Sequence, residues 1–300
     1  MSRADHNHLS HSPGPTSFGA AFAIGVTLNL AYVATQIVFG IVSHSLALLA
    51  DAGHNFGDVL GLLVAWYAIY LGRTRSTPRR TYGLGRSSIL AALINAILLL
   101  VAVGGITWEA IRRFNNPGDV GGGTVMAVAA AGIVINGVTA LLFFEGRKRD
   151  LNIKGAFLHM AADAAVSVGV VLAGAIIFFT GKQWIDPVAS LIINAVIIWS
   201  TGGLLRDSIA MALDLVPANV DPTAVRKYLE SQKGVTAVHD LHIWPLSTTR
   251  TALTVHLEMP NGSGGDEFLH ALCETLHADF GIEHSTIQIE RNAEACSLAP

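Results

Sequence analysis

The sequence predicts an α-helical membrane bundle of six transmembrane helices, followed by a small cytoplasmic α+β domain of αββαβ order. Three observations carry this. Hydrophobic residues make up 51% of the 300 and charged residues only 14%, where a soluble domain carries roughly 25% charged residues. Much of the surface must therefore face something other than water, and the mean hydropathy of +0.49 agrees. Apolar runs of about 20 residues, long enough to cross a bilayer as helices, recur six times. After Arg206 the texture changes: charged and polar residues return every few positions and no such run remains. The net charge of −3 supplies no basic field for nucleic acid. Two cysteines, Cys273 and Cys296, lie in no CxxC pair and make no disulfide framework.

Residues 1–17 form a polar tail carrying His6, His8 and His11, without the basic start, short apolar core and cleavage site of a signal peptide. It is expected to be flexible and solvated. The membrane part is expected over 18–207, with spans at roughly 18–42, 46–71, 87–111, 123–144, 153–179 and 186–205. Lys and Arg are retained on the cytoplasmic side of a membrane. Arg73, Arg75, Arg79, Arg80 and Arg86 follow the second span, and Arg147, Lys148, Arg149 and Lys154 follow the fourth. The opposite side holds only Arg112, Arg113 and Lys182, so both termini are expected in the cytoplasm. Gly121–Gly123 reads as a loose outer connection.

The soluble part is expected over 208–291, with a flexible tail at 292–300. Asp221 caps a helix whose first residue is Pro222, and Gly234 closes it. Strands are expected over 235–244 and 251–259, an amphipathic helix over 266–280 and a last strand over 285–290. This order suits a sheet with its helices on one face.

Ionisable groups inside a span cost roughly 2.5–3.5 kcal/mol each at the helix centre, so those present need a partner or a use. The second span carries Asp51, His54 and Asp58, and the fifth carries His159 and Asp163. Each thus presents His-x-x-x-Asp, two groups on one helix face a turn apart. Turned together, the two faces offer two imidazoles and two carboxylates, a donor set suited to tetrahedral Zn²⁺. The alternative is a set of buried ion pairs holding the bundle together. Thiolates are absent from the spans, which disfavours Cu(I). The HExxH pattern of zinc proteases is missing, and no general base stands beside an open metal position, so no enzyme activity is expected. Zinc needs neutral imidazole and ionised carboxylate, so protons compete with it for the same atoms. Proton-driven antiport by alternating access about a site near the midplane follows from that competition. A membrane zinc sensor or structural zinc protein, which binds but does not transport, is the alternative. Asp51 is expected either to orient His54 as a hydrogen-bond acceptor or to relay protons. Asn29, Asn95, Asn136 and Asn194 are expected to bond between helices, and Glu145 to face water.

The run HSLALLADAGHNFGDVLGLL, the segment TYGLGR, the fifth-span HMAADAAVSVGVV and the later VHDLHIW resemble the cation diffusion facilitator family, closest to its zinc-transporting branch. The resemblance spans about residues 20–291. It implies a homodimer in the lipid bilayer, a metallochaperone-like cytoplasmic domain, and zinc/proton exchange that exports Zn²⁺ from the cytoplasm and leaves room for other divalent transition metals. It places the transport site on His54, Asp58, His159 and Asp163. Members with Asp at the position of His54 tend to accept cadmium too, so His54 implies a leaning to zinc. A loop metal site of some members is not expected, because its two histidines fall at Arg80 and Leu84 and residues 73–88 hold no His, Cys, Asp or Glu. The resemblance also pairs Arg86 with Asp214 between the membrane and cytoplasmic parts. It suggests a cytoplasmic, regulatory zinc site on His239, His256 and Glu290, with Gln288 where relatives carry histidine and with His242 or His270 in reserve. His239 and His242, three apart on a strand, are expected on opposite faces. Cys273 is expected in the core. Short loops and the lack of targeting extensions suggest a bacterial inner membrane.

Overall fold

The computed structural model describes residues 20–72, 76–115, 118–143, 151–262 and 264–291. The N-terminal histidines, Arg73, Arg75, Glu145, the Arg147–Arg149 cluster and Cys296 lie outside them. Six long helices come first: α1 (Ala20–Val42), α2 (Leu46–Gly72), α3 (Ser87–Asn115), α4 (Gly122–Phe143), α5 (Leu151–Thr180) and α6 (Ile185–Ala212). Among the described residues, stretches of α3, α4, α5 and α6 are long and apolar enough to cross a membrane, and α1 adds the shorter apolar run Val26–Val42. Large apolar side chains lie on the outside of this bundle, with Trp199 87% and Phe179 78% exposed. Only a lipid environment makes such a surface stable. The sixth helix continues past the expected end near 205, because Leu204–Ala212 keeps helical order as the chain leaves its apolar stretch.

Two devices fix the helix arrangement. Gly122 and Gly174 bring α4 and α5 together: a Cβ on Gly122 would lie 2.7 Å from the Gly174 carbonyl, and one on Gly174 would lie 2.9 Å from the Met126 nitrogen. Small residues allow backbones to approach this closely in lipid, where dispersion replaces the hydrophobic effect as the driving force. Gly174→Val will therefore separate α4 from α5 and destabilise the bundle by roughly 1–3 kcal/mol, read as a lower unfolding midpoint in detergent.

The second device is Asp186, 1% exposed at the start of α6. Its carboxylate accepts from the Ser45 hydroxyl and from the backbone N–H groups of Leu46 (2.7 Å) and Ala47 (3.2 Å). Those amides open α2 and have no intrahelical partner. A carboxylate from one helix thus caps another, and its charge sits at the positive end of the α2 dipole. Asn194 of α6 donates to Thr107 of α3 at 3.0 Å, an interhelical bond of the expected kind. Asn136 is a correction: it is buried, yet neither side-chain atom has a hydrogen-bond partner among the described residues. Among the described residues, its place on α4 brings no donor or acceptor of a neighbouring helix within hydrogen-bond distance.

The C-terminal part has the order α7 (Pro222–Glu230), β1 (Ala237–Pro245), β2 (Thr251–Glu258), α8 (Gly265–Phe280) and β3 (His284–Glu290). Asp221 accepts from the Thr223 N–H at 2.9 Å and caps α7, with Pro222 in the first turn. Gly281, at φ +66°, closes α8 in the left-handed conformation. The sheet order is β1-β2-β3, with β1 antiparallel and β3 parallel to β2. Leu253, Val255 and Leu257 alternate along β2 on the buried face, where Val225 and Leu229 of α7 and Leu272 and Leu276 of α8 cover them. Thr254, His256 and Glu258 point the other way. That leaves one face of the sheet for polar chemistry.

The α2–α3 loop joins the two parts. Gly85 lies so close to the β1–β2 turn that an added Cβ would be 2.7 Å from the Leu246 carbonyl oxygen. The Thr248 N–H donates to the Ser88 hydroxyl at 3.1 Å, and Tyr82 meets His284 edge to face with ring centres 5.5 Å apart.

Candidate metal centre

The helical period of α2 and α5 puts His54 over Asp58 and His159 over Asp163, and the fold brings the two pairs into one cluster. His54 Nε2 lies 3.1 Å from Asp163 Oδ1 and 3.8 Å from Asp58 Oδ2. His159 Nε2 lies 3.5 Å from Asp58 Oδ2 and 3.8 Å from Asp163 Oδ2. Ligand atoms about 2.05 Å from a tetrahedral zinc are about 3.4 Å apart, and these four separations bracket that edge. The two imidazole planes are inclined by 73° with centres 6.4 Å apart, so neither ring blocks the other's nitrogen. Among the described residues, His54, Asp58 and Asp163 form one of two groups whose ligand atoms all lie within 4.8 Å of one another. Exposure is graded across the cluster: the Asp163 side chain is 3% exposed, and that of His159 43%.

Sequence reasoning missed the residue behind this cluster. Gln36 of α1 is fully buried; its amide nitrogen donates to Asp51 Oδ2, and its carbonyl accepts from Asn55 Nδ2 at 3.2 Å. Asn55 also donates to the Asp51 carbonyl at 3.0 Å. A second amide in the apolar first span, seven residues after Asn29, was the available signal. Asp51 is 1% exposed, and no hydrogen bond joins it to His54. One turn along α1, the Tyr32 hydroxyl lies over Gly132 of α4 and beside Ser167 of α5, where a Gly132 Cβ would collide with both. Polar side chains of α1 thus reach towards both helices that carry the cluster.

The second group lies on the open face of the sheet. Cross-strand register sets His239 opposite His256, and β3 brings Gln288 and Glu290 alongside. His239 Nε2 is 3.1 Å from Glu290 Oε2, and His256 Nδ1 is 3.0 Å from Glu290 Oε1. Gln288 donates to Glu290 Oε1 at 2.7 Å and steadies that carboxylate. Two imidazoles and a carboxylate converging in this way fit zinc, with a fourth position left for water or another donor. His270 is not part of the group; it pairs with Glu274 on the exposed side of α8. Cys273 is free and half-buried on the same helix.

The expectation that His239 and His242 face opposite sides is corrected. A bulge interrupts the β1–β2 ladder between them, so that His239 opposes His256 while His242 opposes Thr254. Residues 254 and 256 share a face, so the two histidines do as well. The period-of-two rule fails because the bulge inserts an extra residue. At the junction of the two parts, Arg86 Nη2 lies 2.5 Å from Asp214 Oδ1. Asp214, at φ +59°, stands just past the end of α6, where the Leu215 N–H bonds back to Ala210 and closes the helix.

A bundle of apolar helices enclosing a His/Asp cluster defines a membrane carrier of metal cations, and the comparisons give it a family. Residues 22–211 match the cation efflux transmembrane domain, and residues 217–292 match the cation efflux protein, cytoplasmic domain. The chain belongs to the cation efflux, or cation diffusion facilitator, family, in its zinc-transporting branch. It is 34% identical over 292 residues to the cadmium, cobalt and zinc/H(+)-K(+) antiporter of Bacillus velezensis, covering 96% of this chain and 92% of that one. It is 36% identical over 289 residues to the zinc transporter ZitB of Escherichia coli, covering 95% and 91%. It is 34% identical over 288 residues to the cation efflux system protein CzcD of Alcaligenes sp., covering 96% and 90%. It is an integral membrane transporter of metal cations and not an enzyme.

Proposed function

We propose that the chain is a zinc/proton antiporter that exports Zn²⁺ from the cytoplasm through the cluster of His54, Asp58, His159 and Asp163. The observation that carries this is the set of four nitrogen–oxygen separations between 3.1 and 3.8 Å inside a lipid-facing bundle. The antiport named for the Bacillus relative supports it. In the proposed cycle, zinc enters from the cytoplasmic side as neutral imidazoles and ionised carboxylates close round it. When the cluster opens outward, protons take the same lone pairs and the metal leaves. Asp51 is proposed as the proton relay, since its hydrogen bond comes from Gln36 and not from His54. The carrier is proposed to work as a homodimer in a bacterial inner membrane, with both termini cytoplasmic. The domain over 208–291 is proposed to bind a regulatory zinc through His239, His256 and Glu290, and by mass action zinc there stabilises whichever arrangement binds it. The Arg86–Asp214 pair is proposed to tie that domain to the bundle.

Flux in proteoliposomes tests the antiport. With an acidic lumen, zinc should accumulate inside, and a protonophore should stop it. Stoichiometric zinc binding without gradient-driven flux would replace the antiporter with a zinc sensor.

A further inference from the structure

Three non-glycine residues among those described have positive φ: His44, Asp214 and Asp240. The first two close helices α1 and α6, where a left-handed residue is the ordinary terminator. Asp240, at φ +49°, stands inside strand β1, at the bulge. Nothing in the strand ladder requires an aspartate there; a glycine would take the same conformation without steric conflict. What the strained position achieves is a placement. Without the bulge, the residue after His239 would point into the core. With it, Asp240 projects beside the histidines. Its Oδ1 lies 2.8 Å from His242 Nε2 and its Oδ2 lies 3.5 Å from His256 Nε2.

The other nitrogen of His256 faces the metal group. Nδ1 lies 3.0 Å from Glu290 Oε1, and the ligand atoms that converge within 4.8 Å come from His239, His256 and Glu290. Asp240 is on the far side of the ring from that point, so it is not a fourth ligand. An imidazole that gives a lone pair to zinc through one nitrogen carries its proton on the other, and a carboxylate facing that proton fixes the tautomer and makes the ring a better donor.

Resting on the cytoplasmic zinc site proposed above, we infer that Asp240 is the positioning residue of that site: it accepts the proton of His256 Nε2 and leaves Nδ1 for zinc. His242, half-exposed, donates to the second oxygen and holds the carboxylate in place. The bulge and the left-handed aspartate are then explained together, as the local distortion that sets a carboxylate behind a ligand.

The test uses the full-length protein carrying Asp163→Ala, so that the intramembrane cluster does not compete. Zinc is titrated against a chromophoric chelator, and the visible spectrum of bound Co²⁺ is recorded. Asp240→Asn, which tolerates the left-handed backbone, and Asp240→Gly, which relieves it, should each weaken the site by about 10- to 100-fold. The Co²⁺ bands of Asp240→Asn should keep their positions, because the ligands are the same. Hydrogen exchange of β1 and β2 in the metal-free variants should match the parent. His256→Ala should abolish the site. Unchanged affinity in both Asp240 variants, with the site still lost in His256→Ala, overturns the inference alone. A Co²⁺ spectrum of altered coordination would make Asp240 a ligand, and lost strand protection would make it structural; either overturns the inference. If the Asp163→Ala protein titrates like its His256→Ala derivative, the cytoplasmic site itself falls, and the inference with it.

Discussion

Asp163→Asn will lower zinc affinity at the intramembrane cluster by more than about 100-fold and reduce transport to background, because losing a ligand outright exceeds the 10- to 100-fold cost of losing an outer partner. Asp163 is the buried member of the four and the acceptor nearest His54, at 3.1 Å. The amide keeps the shape but removes the charge that zinc requires. Without metal His54 still pairs with Asp163, so the amide removes that pairing too and the metal-free variant should be no more stable than the parent under either reading. What divides them is transport: a purely structural cluster leaves even the parent without gradient-driven flux, whereas a transport cluster loses affinity and flux together. Zinc titration and flux, measured side by side, separate the two readings.

Asp186→Ala will destabilise the membrane domain by roughly 3–5 kcal/mol while leaving every zinc ligand in the sequence untouched. The substitution strands the N–H groups of Leu46 and Ala47 and the hydroxyl of Ser45 in a region from which water is excluded. Each buried donor left without an acceptor costs about 1–3 kcal/mol. Asp186→Asn retains one acceptor oxygen and should recover part of the loss. The readout is the unfolding midpoint of the detergent-purified protein. A drop of less than about 1 kcal/mol for the alanine variant would show that the α2 terminus finds other acceptors.

What the sequence made visible was set by periodicity. His54 and Asp58, like His159 and Asp163, fall on one face because the helical repeat requires it, and the cost of charge in lipid marked them out. The order of the C-terminal domain followed from caps and alternation. The illegible part is where local rules meet distant partners. Gln36 and Asp51 are 15 residues apart, and Ser45 and Asp186 are 141 apart; nothing local to either announces the other. The bulge at Asp240 defeated a rule that was sound for a regular strand. In the run VHDLHIW both histidines stand out, whereas the aspartate after His239 falls on the core face of a regular strand, where no role beside the histidines is legible.

The Asp186 clamp and the Gly122–Gly174 approach also divide the bundle mechanically. The first binds α2 to α6, and Asn194 binds α6 to α3; the second zips α4 to α5. Between them α2 and α5 touch sparsely, and it is there that His54 and Asp58 meet His159 and Asp163. A metal held by all four spans the seam between two stiff groups of helices. The cargo is then a rivet as well as a passenger: a loaded carrier resists shear along that line, and an emptied one regains it.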